Sequence, residues 1–159
     1  MVVISDTSVI SNLIQLGLID LLRDLFNEVI IPPSVKKELA AIPNHLKLLN
    51  SKTWIRTESI INTKLLDELL THLDSGEAES IVLSIEMKAS ILLIDEKKGR
   101  RIATEYGINI SGLIGVLIKA KEQLLIDELK PILNKLVYEI GFRIHPKLYT
   151  EVLQIVKEE

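Results

Sequence analysis

The sequence predicts an α/β fold of one domain, residues 1 to 159, with a small central parallel sheet of four or five strands between two layers of helices. Three observations predict it. Short apolar runs of strand length alternate with helical periods along most of the chain. Two of those runs, Val2-Val3-Ile4-Ser5-Asp6 and Ile91-Leu92-Leu93-Ile94-Asp95, end on an aspartate followed by helix-starting residues. No internal repeat, linker or low-complexity stretch divides the 159 residues, a length that buries roughly two-thirds of the unfolded surface without disulfides or a structural metal.

Taken in order, the first strand hands over to a helix that Thr7 or Ser8 can cap, with Val9, Leu13 and Leu16 at helical spacing and Gly17 as its stop. A second helix, Leu18 to Phe26, follows at once. Glu28 to Ile31 forms a buried strand, and Pro32-Pro33-Ser34 opens a helix over Val35 to Ala41, because proline suits a first helical turn. Residues 43 to 62 carry mixed signals and are expected to be the mobile part, with Trp54-Ile55 as a short extended piece. From Thr63 the helical period returns through Leu65, Leu66, Leu69, Leu70 and Leu73, stops at Asp74-Ser75-Gly76, and restarts over Glu77 to Met87. After the second aspartate-tipped strand come a helix near Lys97 to Tyr106, a strand over Ile108 to Ile110, and helices near Leu113 to Gln123, Ile126 to Ile140 and Pro146 to Lys157.

Composition narrows the chemistry. The absence of cysteine removes disulfides, thiolate zinc sites and a cysteine nucleophile, and agrees with a reducing cytoplasm. Charges interrupt every apolar run before the ~18 residues of a membrane span, and Met1 leads into a strand rather than a signal core, so an untargeted cytoplasmic protein is expected. The net charge of −3 provides no global positive field, so any contact with nucleic acid has to rest on local basic clusters.

Acidic residues stand out by placement: Asp6 and Asp95 at strand ends, Glu38 on the helix after the second strand, and the Glu77/Glu79 pair opening a helix after Gly76. Each has an ordinary explanation. Asp6 can be a helix cap, Glu38 a solvated face, and Glu77 a partner of the helix dipole. In an open parallel sheet, however, the carboxyl ends of the strands line one crevice, which brings such residues together. Clustered carboxylates raise one another's pKa unless a cation neutralises them, and oxygen-only ligands suit Mg2+ or Mn2+ rather than zinc. Such ions activate water and stabilise charge on a phosphoryl group, so phosphodiester hydrolysis follows.

Along nearly its whole length the chain resembles the PIN domain, the metal-dependent nuclease fold of the VapC-type toxins. The resemblance rests on Ile4-Ser-Asp6-Thr-Ser8, the helix bearing Glu38, Glu79-Ser-Ile-Val-Leu-Ser84 and Leu92-Leu-Ile-Asp95, in that order. The stretches Gly76-Glu-Ala-Glu79, Ile94 to Ala103 and Gly112-Leu-Ile-Gly115 to Lys121 further resemble a little-characterised prokaryotic PIN subgroup. The resemblance implies Asp6, Glu38, Glu79 and Asp95 as ligands of Mg2+ or Mn2+, with Ser8 as an accessory polar group. The third ligand is commonly aspartate in the wider family and is glutamate here. Glu77 lies about 200° around the helix from Glu79, so only one of the two can face inward. Glu79 fits the family's pattern, which leaves Glu77 as a supporting group. Glu96 either contributes to a second metal or sits in solvent on a first helical turn.

The basic stretch Lys97, Lys98, Arg100 and Arg101 starts beside Asp95 and can hold the phosphates of a single strand, or form a solvated helix face. Lys119 and Lys121 are weaker candidates of the same kind, and the scarcity of aromatics speaks against a stacking platform. Trp54 is expected to pack, and His45, His72 and His145 lack ligand spacing and are expected at the surface.

Other phosphate chemistries fit less well. An aspartate-nucleophile phosphatase wants an acid where Ser8 stands, a phospho-acceptor domain wants paired acids after the first strand, and the glycine-rich loops of P-loop and dinucleotide-binding proteins are missing. The expected function is a metal-dependent endoribonuclease. The family implies a toxin role with a small antitoxin partner and self-association into homodimers or larger homo-oligomers. The rival reading is a PIN fold that binds RNA or protein without cutting.

Overall fold

A computed structural model describes residues 1–159. The elements run β1 (Val3–Ser5), α1 (Thr7–Gln15), α2 (Asp20–Phe26), β2 (Val29–Ile31), α3 (Pro33–Ala40), α4 (His45–Asn50), β3 (Ile55–Thr57), α5 (Thr63–Leu70), α6 (Ser75–Glu86), β4 (Ile91–Leu93), α7 (Lys97–Glu105), β5 (Ile110–Ser111), α8 (Leu113–Glu122), α9 (Lys130–Lys135) and α10 (Pro146–Ile155). The five strands form one parallel sheet in the order β3-β2-β1-β4-β5. The chain steps outward from β1 through β2 to β3, then crosses back to lay β4 on the other side of β1. The strand order therefore reverses between β1 and β4, and a crevice opens at their carboxyl ends.

Register fixes what meets in that crevice. Ser5 pairs with Leu93, and the backbone N–H of Asp6 donates to the Leu93 carbonyl at 2.9 Å, which holds the end of β1 beside Ile94 and Asp95. The period of two divides the strand residues between the faces. Val3, Val29, Ile31 and Leu93 pack into one core with α1, α2, α3 and the C-terminal helices. Ile4, Ile30, Leu92 and Ile94 pack into a second with α5, α6 and α7. Fully burying each such Ile or Leu contributes about 1.5–3 kcal/mol. α3 touches both α1 and α6 and so closes the edge of the crevice. No helix is long and apolar enough to cross a membrane.

The three-layer expectation matches this architecture, and three segments differ from their expected form. Residues 43 to 62 contain α4 and the edge strand β3. The helix is a turn and a half long, and β3 buries no residue fully, so neither shows a clear apolar period; backbone pairing to β2 makes the strand. The helix expected over Ile126 to Ile140 begins only at Lys130, with Pro131 in its first turn, and ends in a π-helical turn over Leu136–Ile140. The last strand is Ile110–Ser111 rather than residues 108 to 110.

The C-terminal helices are tied down at a single carboxylate. Glu158 accepts from the backbone N–H groups of Leu129 at 2.8 Å and Lys130 at 3.0 Å, where α9 begins, and pairs with Lys121 at 3.5 Å. Glu158→Ala leaves those donors unsatisfied and is expected to destabilise the fold by about 1–2 kcal/mol. Urea unfolding checks this, and an unchanged midpoint would refute the role.

Candidate active site

Because every crossover in a parallel sheet leaves from a strand's carboxyl end, the helices that follow start there too. The N-termini of α1, α6, α7 and α8 border the crevice, and their partial positive charges favour the acidic residues placed beside them. Asp6, Glu38, Asp74, Glu77 and Glu96 line a cleft of about 330 Å³ together with Ser8 and Thr7. Asp95 sits at its border and lines an adjoining hollow.

The acids in this cleft do different work. Asp74 caps α6, its Oδ1 accepting from the Glu77 N–H at 2.9 Å, and Glu96 caps α7 by accepting from the Gly99 N–H at 2.8 Å. Asp6 occupies the capping position of α1 yet makes no side-chain capping bond, which leaves its carboxylate to the cleft although the residue is only 5% exposed. The Thr7 hydroxyl donates to Glu38 Oε2 and holds that carboxylate over the start of α6. Asp95 Oδ1 accepts from the Leu113 N–H at 3.0 Å, while its Oδ2 is buried without a partner.

Two glycines make room for these carboxylates. A Cβ on Gly76 would lie 2.7 Å from Glu38 Oε1, and one on Gly112 would collide with Asp95 Oδ1. Both positions lie at helix starts where any residue could take the backbone angles, so the space, not the conformation, calls for glycine.

Burial pushes the Asp6 carboxyl up to about 7 against a donated bond from the Thr7 backbone, with the negative charges of Asp74, Glu38 and Asp95 adding to the rise. Burial likewise raises Glu77 to about 7, helped by Asp74, Asp6 and Glu96. Asp95 is raised by burial too, opposed by the Leu113 N–H and by Arg100.

Of the Glu77/Glu79 pair, the structure turns Glu77 toward the cleft. Glu77 lies in the cleft, 8% exposed. Glu79 points to the start of α3, where it accepts from the Ser34 hydroxyl and from the Ser34 N–H at 3.2 Å. The signal for this was present as Asp74-Ser-Gly-Glu77, a capping-box pattern that places Glu77 in the first turn. Asp74, read from sequence only as a helix stop, is the cleft residue that sequence reasoning missed.

The basic residues divide. Lys97, Lys98 and Arg101 are exposed beside Glu96 and line a shallow hollow with it. Arg100 is half-buried and spends Nη1 on the Ile94 carbonyl at 2.8 Å, so it braces the loop that carries Asp95. Lys119 lies 5.1 Å from the Phe26 ring centre and Lys121 reaches Asp127 and Glu158; both are committed to packing. Trp54 packs against the larger core. His72 and His145 are exposed, but His45, at the start of α4, is buried 3.3 Å from the Ser11 hydroxyl of α1.

Chemically the cleft fits a hard divalent cation. Its donors are all oxygens, two of its carboxyls are held far above their ordinary range by burial and mutual repulsion, and one Asp95 oxygen is buried without a bond. The acids line walls rather than meeting at a point: no three close to metal-binding distance.

A raised carboxyl pKa has a defined consequence for stability. The folded state holds more protons than the unfolded chain between pH 4 and 7, so stability falls as pH rises through that window. Asp6→Asn removes its share of the penalty. The variant is expected to be more stable than the parent by about 1–3 kcal/mol at pH 8, with the difference vanishing near pH 4, in urea unfolding across pH. A variant no more stable at pH 8 would contradict the burial cost assigned to Asp6.

No curated protein and no solved structure matches the chain. A family model described as PIN domain matches residues 2–158, nearly all of it and the whole of the sheet, cleft and covering helices described above. The chain therefore belongs to the PIN domain family, a nuclease-type fold.

Proposed function

We propose that the protein is an Mg2+- or Mn2+-dependent endoribonuclease whose ion is held by Asp6, Glu38, Glu77 and Asp95. The observation that carries this reading is the unneutralised burial of Asp6 among other acids at the β1/β4 switch point. Burying like charges costs stability, and a structural scaffold gains nothing from it. A cation supplies what the cleft lacks: it lowers the pKa of water and offsets the charge that develops on a phosphodiester.

The chain's own residues do the positioning. Thr7 and Gly76 set Glu38, the Leu113 N–H and Gly112 set Asp95, and the caps at Asp74 and Glu96 hold the helix starts that frame the opening. Ser8 adds a hydroxyl to the cleft wall. Lys97, Lys98 and Arg101 draw in the backbone of a single strand beside Glu96. Glu79 acts indirectly here, fixing α3 to α6 through Ser34. A toxin held in check by an antitoxin, acting in the cytoplasm, fits the same cleft, since a partner's basic side chain entering it would neutralise the acids in place of an ion.

Cleavage of labelled single-stranded RNA tests the proposal. The parent is expected to cut with Mg2+ or Mn2+ and not with chelator, and Asp6→Asn to lose at least about 10³-fold. Glu77→Gln is expected to lose far more activity than Glu79→Gln, whose defect is mainly in stability. The opposite order would return the ligand role to Glu79, and no metal-dependent cutting of any RNA would favour a non-cutting binding module. Gly76→Ala is expected to retain or gain up to about 1 kcal/mol of stability by helix propensity while losing about tenfold or more in rate, because its Cβ displaces the Glu38 carboxylate. An equal rate would show that the Glu38 position does not matter.

A further inference from the structure

Asp95, near Asp6 at the border of the acidic cleft, lines a second, differently built hollow of about 450 Å³, bounded by the end of β5, the first turn of α8 and the Phe142 to Leu148 segment. Its chemistry is mixed where the cleft is acidic. One side is formed by Ser111, buried Gly112, Ile114 and exposed Gly115, the two glycines one helical turn apart; a Cβ at Gly112 would collide with Asp95 Oδ1 and one at Gly115 with the Ser111 hydroxyl. The other side carries Phe142, half-buried against the larger core, and Leu148. Arg143, exposed at the rim, makes no hydrogen bond or ion pair within the chain, unlike Arg100 nearby. An aromatic wall and a free guanidinium suit a planar base with an attached phosphate.

We propose that this hollow seats one nucleotide of a single-stranded RNA next to the phosphodiester in the cleft, its base between Phe142 and the Gly112/Gly115 side and its phosphate on Arg143. The proposal rests on the nuclease reading for the direction of the strand, but the seat itself needs no metal and no cutting. Lys97, Lys98 and Arg101 line a hollow with Glu96, which also lines the acidic cleft. The glycine spacing also gives a role to the Gly112-Leu-Ile-Gly115 stretch, which the acidic site uses only at Gly112.

Binding measured in chelator tests the seat apart from catalysis. The full chain is titrated with hexauridylate, hexaadenylate and a hexamer carrying one abasic position, and amide shifts are followed by NMR. Shifts centred on Gly112, Gly115 and Phe142, an affinity loss of about tenfold in Phe142→Ala, and a salt slope smaller by about 0.7 in Arg143→Gln are expected. Because Phe142 also packs on the core, Arg143→Gln and the abasic probe carry the test if Phe142→Ala unfolds. RNA-induced shifts confined to other surfaces, no RNA binding, an unchanged salt slope with equal affinity for the abasic hexamer, or shifts at these residues that instead track self-association of the chain would each overturn the seat. Metal-dependent cleavage by the same preparation is scored separately, so a nuclease without this seat and a seat without nuclease activity give different results.

Discussion

Asp6 is a carboxylate held almost out of water at the end of the sheet's central strand, with other negative charges around it, and much of the molecule can be understood as the means of holding it there. A hydrogen bond to Leu93 anchors its backbone to the neighbouring strand. The helix that starts at the next residue offers its positive end but no capping bond through the Asp6 side chain. Around it, Thr7, Leu113 and two glycines place the remaining acids at fixed points on the walls. Burial, with the neighbouring negative charges adding to it, raises two of these carboxyl groups to about 7. Stability given up at one place in a fold is a mark of function, since selection for folding alone would replace Asp6 with an amide.

The strands and helices whose signals are local were legible in the sequence. β1 and β4 are largely buried apolar runs, and α1 and α5 carry clear periods, so their existence and order followed from composition and spacing. β3 was legible only as a short extended piece at Trp54-Ile55, because an edge strand with exposed Arg56 and Thr57 exists through its pairing with β2 and leaves no periodic trace. The start of α9 depends on Glu158 from far along the chain, which no window around residue 130 contains.

The site was legible in its strand-borne parts. Asp6 and Asp95 follow from the rule that parallel strands present their carboxyl ends together, and Glu38 from the resemblance. The choice between Glu77 and Glu79 required helix phase, and phase depends on where the helix begins. Asp74 accepting from the Glu77 N–H sets that start, so the same bond that caps α6 turns Glu77 inward and leaves Glu79 to Ser34. Arg100 shows the complementary limit: charge in a basic run says nothing about which member is spent on a backbone carbonyl.

The strand order has a consequence for how the chain acquires its chemistry. β1 is laid down first yet lies in the middle, and one of its two partners, β4, comes only after α6. Contacts so distant in sequence form slowly, since the intervening chain has to be ordered before they offset its lost entropy. Asp95 is seated only when the N–H of Leu113 has arrived, later still. A chain that ends before α8 lacks the N–H that seats Asp95, so whatever the acids do is withheld until most of the protein exists.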